Sequence, residues 1–160
     1  MRLLKIICIA SALFFSSLSL AAVSEAPAVK LPTLQGEFDL GKLQGKVVYL
    51  DFWASWCIPC RQSFPWMNEM QARYQQQGLE VVAVNLDKNR ELADEFLKKI
   101  PANFTIAFDA DGDSAKAYSL RGMPTSYLIG RDGKLYASHI GFREKDKAKM
   151  EQAIQQLLNQ

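Results

Sequence analysis

The sequence predicts an α/β fold, a mixed central sheet flanked by helices, from three observations. Apolar runs bounded by turn residues alternate with segments of helical period along most of the chain. The alternation closes on two strands joined by Arg131-Asp132-Gly133, an Asp-Gly hairpin signal. A chain of 160 residues, 49% hydrophobic and 22% charged, suits one core, and its composition excludes both disorder and a disulfide-dense scaffold.

The first 21 residues stand apart: Arg2 and Lys5 are their only charges, an apolar run follows from Ile6 to Leu20, and Ser19-Leu20-Ala21 ends it. A basic start, an apolar stretch and small residues one and three positions before the cut are the pattern of a secretory leader. We expect residues 1–21 to be a signal peptide and residues 22–160 the working domain. The alternative is an uncleaved membrane anchor, but Ser11, Ser16, Ser17 and Ser19 dilute a run that would need about 20 mainly apolar residues to span a bilayer. Cys8 does not make a lipoprotein signal, because Lys5 stands where an apolar residue is needed.

Downstream, Val29, Leu31, Leu34, Phe38 and Leu40, broken by Pro32, Gly36 and Gly41, predict a short N-terminal hairpin. Lys46 to Trp53 is nearly all apolar, as in a central strand buried on both faces. A helix is predicted from Ile58 to Gln77, with Phe64, Met67, Met70 and Tyr74 inward, a kink at Pro65 and a stop at Gly78. Strand Leu79–Leu86, helix Asn89–Ile100 with Leu92, Phe96 and Ile100 inward, and strand Phe104–Phe108 follow. A short helix over Ser114–Ser119, the hairpin strands Thr125–Ile129 and Lys134–Ile140, and a helix from Glu144 to Leu158 complete the chain. Trp66 and Met67 read as packing residues, and the acids of Asp109–Asp113 as helix caps, since their spacing does not make a calcium loop.

Without Arg2 and Lys5, the 19 Lys and Arg become 17, matching the 17 Asp and Glu. A neutral chain without basic clusters lacks the electrostatic footprint of a nucleic-acid or anionic-membrane binder. Without Cys8 two cysteines are left, Cys57 and Cys60, and their place at the junction of a buried strand and a helix is chemically specific. Free N–H groups and the dipole at a helix start favour an anion, so Cys57 is expected to be the thiolate nucleophile. Cys60 lies one turn on along the same face and is expected to resolve the mixed disulfide, while Pro59 suits a first helical turn. A structural zinc site needs four ligands, and beyond these cysteines the chain has only His139, which reads as a surface or packed side chain. Haem attachment needs His where Arg61 stands. An inert disulfide remains an alternative, although its loop would constrain the unfolded chain little. Asp51 is the one acid in its apolar strand; such a group is either neutral, satisfied by a neighbour, or at a strand end reaching solvent.

Asp51-Phe52-Trp53-Ala54-Ser55-Trp56-Cys57-Ile58-Pro59-Cys60 resembles the thioredoxin active-site segment. With Gly45-Lys46-Val47-Val48, Phe64-Pro65 and Gly122-Met123-Pro124-Thr125-Ser126-Tyr127-Leu128-Ile129, nearly the whole domain resembles the exported TlpA/ResA-like thioredoxin family. The resemblance implies a thioredoxin fold with an additional central helix and strand, for which Asn89 to Phe108 is available. It also implies proton exchange between Asp51 and Cys60, and a cis Pro124 that, with Met123, holds an extended substrate; Trp56, Ile58 and Met123 read as an apolar rim, with Pro59 beside them at the substrate. Two positions depart from pattern: Ser63 stands where ResA-like members carry an acid, and Thr125 where cytochrome c maturation members carry Glu.

The expectation is a periplasmic thiol:disulfide oxidoreductase that exchanges a Cys57–Cys60 disulfide with protein substrates, without metal or organic cofactor. The resemblance further implies a reductant recharged by a membrane donor of the DsbD or CcdA type, and a lone domain without a dimerisation module is expected to be a monomer. Alternatives are a binding module on the same fold and, lacking the Pro-x-x-x-Thr-x-x-Cys arrangement, a thiol peroxidase.

Overall fold

The computed structural model describes residues 24–160, so the expected leader, cleaved or anchoring, lies outside the described residues. Among the described residues eight strands form: β1 Ser24–Glu25, β2 Lys30–Pro32, β3 Glu37–Asp39, β4 Val47–Trp53, β5 Leu79–Asn85, β6 Thr105–Phe108, β7 Thr125–Ile129 and β8 Lys134–Ile140. The helices are α1 Ile58–Tyr74, α2 Arg90–Lys99, α3 Asp113–Ala117 and α4 Lys147–Leu158. Six strands make the central sheet in the order β1-β8-β7-β4-β5-β6, and β2 and β3 pair as a separate hairpin. The sheet is mixed: β5 runs parallel to β4 and β6, whereas β7 is antiparallel to β4 and β8.

Every residue of β4 is buried, as its unbroken apolar run requires. Alternation then sorts its side chains. Val47, Tyr49 and Trp53 point to the face covered by α1, α2 and α4, where Phe64, Met67, Met70, Phe96, Met150 and Ile154 join them. Val48, Leu50 and Phe52 face the hairpin residues Val29, Phe38 and Leu40, together with Tyr118 beyond α3. An antiparallel bridge from Thr33 to Ala107 lays the hairpin's end over the edge strand β6.

α1 runs through Pro65 as one element, and after Tyr74 a single 3-10 turn leads to Gly78, whose φ of 101° ends the helix in a left-handed conformation. Asp109 accepts bonds from the backbone of Gly112, Asp113 and Ser114 and so caps the start of α3, whereas Asp113 pairs with Lys116. One inward assignment needs correction. Leu92 is 46% exposed, and Ala93 and Phe96 are the buried residues of α2. Asn89 caps the helix through the Glu91 N–H, Ala93 and Phe96 set its buried stripe, and Leu92 falls to the margin of a groove beside Trp56.

Candidate active site

β4 ends at Trp53, and the chain turns through Ala54 to Trp56 before α1 begins at Ile58. Cys57 is the N-cap of α1: its backbone is extended, and its sulfur accepts the Cys60 N–H at 3.3 Å. Pro59 fills the first turn, where no N–H is required. Cys57 and Cys60 are joined by a disulfide with Cα atoms 5.3 Å apart. Their surroundings differ, since Cys57 keeps 4% exposure and Cys60 none. An incoming nucleophile therefore reaches Cys57 first. A thiolate released there would sit at the positive end of a 17-residue helix, with the Cys60 N–H aimed at it.

The flanking side chains make the rim. Trp56 and Ile58 are 68% and 72% exposed, unusual for residues so apolar, and Pro59 is exposed with them. Thr125, the first residue of β7, pairs with Phe52 near the end of β4, so Met123 and Pro124 arrive at the same end of the sheet as the disulfide. The Met123–Pro124 peptide bond is cis, and Met123 packs against the core cluster that contains both cysteines.

Asp51 points to the same sheet face as Tyr49 and Trp53, the face on which Cys60 is buried. It is 2% exposed, and its Oδ2 has no hydrogen-bond partner among the described residues. Of the readings open for this acid, solvent access at the strand end is thus removed. Burial holds its carboxyl well above the usual carboxylate range, because the charged form loses hydration without a compensating partner. The same burial, with Asp51 nearby, raises the Tyr49 phenol.

A second acid was missed in the sequence. Asp87 is buried just beyond β5, and its carboxylate accepts the Ser55 N–H at 2.9 Å, the Ser55 hydroxyl at 3.0 Å and the Asn85 side-chain amide at 2.8 Å. Ser55 stands two residues before Cys57, so Asp87 fixes the approach to the helix start. In Asn85-Leu86-Asp87-Lys88-Asn89 an acid reads as an ordinary turn residue, and only its partners distinguish it.

The comparisons agree with this geometry. Residues 21–154 match the Redoxin family. The thiol-disulfide oxidoreductase ResA of Bacillus cereus is 35% identical over 134 residues, covering 83% of this chain and 76% of that protein. Among solved structures, a Chlorobium tepidum chain assigned as the thiol:disulfide interchange protein DsbE is 53% identical, with a TM-score of 0.84 over 88% of this chain and 99% of that one. The exposed lipoprotein thioredoxin of Streptococcus pneumoniae is 29% identical, with a TM-score of 0.70 over 82% of this chain and 100% of its own. The reach of these matches across sheet, helices and cysteine pair makes the chain a member of the Redoxin family, in its TlpA/ResA-like branch of thiol-disulfide oxidoreductases.

Proposed function

We propose that this oxidoreductase works in the periplasm as a reductant of protein disulfides, exported by the leader expected in residues 1–21 and acting as a monomeric domain over residues 22–160. The observation that carries the reading is the asymmetry of the cysteine pair: Cys57 at the helix start under an exposed apolar rim, Cys60 fully buried on the face that holds Asp51.

In this mechanism the Cys57 thiolate attacks a substrate disulfide, forming a mixed disulfide and releasing one substrate thiolate. Cys60 then passes its proton to Asp51 in its ionised form, which burial makes a strong base, and the Cys60 thiolate attacks the Cys57 sulfur. The second substrate thiolate leaves as the Cys57–Cys60 disulfide closes. Trp56, Ile58 and Pro59 bury apolar side chains of the substrate, while Met123 and Pro124 hold its extended backbone. A membrane donor of the DsbD or CcdA type returns two electrons. The likeness to an exposed lipoprotein thioredoxin supports an extracytoplasmic site. No metal or organic cofactor has a role in these steps.

Equilibration with glutathione tests the direction. A reductant is expected near thioredoxin's potential of about −270 mV, whereas a value near the about −120 mV of the oxidant DsbA would overturn the reading.

A further inference from the structure

Strand register places three polar side chains in one row beneath α4. Asp51 on β4 lies opposite Ser126 on β7, and Ser126 lies opposite His139 on β8. Directly opposed residues of antiparallel strands have Cβ atoms about 4.5–5.5 Å apart, and all three belong to the face that carries Tyr49 and Leu128. The two ends of the row share an unusual feature: Asp51 Oδ2 and His139 Nε2 are both buried without a hydrogen-bond partner among the described residues. Beside Ser126 and His139 lies a cavity of about 40 Å3, also bordered by Tyr49 and roofed by Met150 and Ala153 of α4, which Asp51 adjoins only through Ser126. A single water needs about 10–15 Å3 of such space and two or more polar partners, which these residues supply. At the far end the His139 side chain is 28% exposed, and its buried Nε2 stands 3.5 Å from Asp146 Oδ2, within ion-pair reach but without hydrogen-bond geometry.

We infer that Ser126 and His139 form a proton path between Asp51 and solvent, running behind the sheet and away from the substrate rim. This rests on the reading of Asp51 as the proton acceptor for Cys60. That role needs an exchange route, because Asp51, buried and protonated at rest, has to give up a proton before it can accept one from Cys60, and a carboxyl sealed beneath bound substrate cannot do so through the rim. The proton taken from the Cys60 thiol moves from Asp51 through a water held by Ser126 to the His139 imidazole, and from there to bulk water; recharging runs the reverse order. Asp146 stabilises the transient imidazolium. The groups facing His139 fit this: Ser126 from β7, Tyr49 and beyond it Asp51 from β4, the apolar Met150 and Ala153 from α4, and Asp146, which is bonded by Arg143 and near Lys145.

The test compares Asp51→Asn, Ser126→Ala, His139→Phe and His139→Gln in single-turnover reduction of a disulfide peptide between pH 5 and 8. Ser126→Ala and His139→Phe are expected to slow resolution on the order of tenfold, the low end for a lost proton-transfer partner. Added imidazole is expected to restore the His139→Phe rate, and the equilibrium constant with glutathione to stay at the parent value, because a path changes rates and not end states. His139→Gln, which keeps size and polarity, controls for packing and is expected to be slow as well. Parent rates in Ser126→Ala and His139→Phe, or a loss that imidazole leaves unchanged and that moves the glutathione equilibrium, would overturn the path. A normal rate in Asp51→Asn would instead overturn the reading of Asp51 itself.

Discussion

A carboxyl with no partner in a β-strand core is costly unless it keeps its proton, and Asp51 carries that cost for the fold. Burial raises its pKa above that of the unfolded chain, so in the window between the two values the folded state holds a proton that the unfolded state has lost. Stability is therefore complete below the unfolded pKa of about 4 and falls as pH rises toward the folded pKa, with a limiting slope of about 1.4 kcal/mol per pH unit. Asp51→Asn removes this term. The variant is expected to gain stability relative to the parent as pH rises from 4.5 to 8, and urea melts across that range would show it; a constant gap would contradict the burial argument. This residue was legible because it is the one acid in an otherwise apolar strand. The turn-like Asp87 and the hairpin residue His139 were not, since their significance lies wholly in what the fold sets beside them.

Elements were legible where pattern and length agree. β4, β5, α1 and the β7–β8 hairpin fall within a residue or a turn of expectation because each has a long apolar signature. β1 was missed, as two exposed residues pairing with Leu135 and Lys134 carry no periodicity at all. Leu92 reads as inward on spacing alone, but Ala93 and Phe96 hold the buried stripe of α2 and leave Leu92 at its edge. The loop between β4 and α1 is the element on which activity depends, and Asp87 is its anchor. Asp87→Ala would leave the buried Asn85 amide and the Ser55 donors short of acceptors, an expected loss of about 3 kcal/mol in denaturant unfolding. The same variant is expected to blur the difference in reactivity between the two thiols, because the start of α1 is no longer held. An Asp87→Ala protein with parent stability would show the tether to be dispensable.

At the scale of the molecule, the order β1-β8-β7-β4-β5-β6 gathers the chemistry at one end of β4. The cysteines follow β4, the cis Pro124 precedes its antiparallel neighbour β7, and α1 carries Cys60 down onto the Asp51 face. The cysteine pair and its reaction class were legible from spacing, because two thiols one turn apart at a helix start need no tertiary information. The row from Asp51 to His139 was not, since register across three strands distant in sequence sets it. In the proposed mechanism this assembly makes Cys57 the attacking thiol and Cys60 the sheltered one. Reducing the protein and mapping alkylation of each cysteine by mass between pH 5 and 9 tests it most directly. Cys57 is expected to be labelled rapidly at neutral pH, with a midpoint below the free-thiol value of about 8.5, while Cys60 stays unlabelled in the folded protein. Equal labelling of both thiols, or none until the free-thiol range is reached, would contradict it.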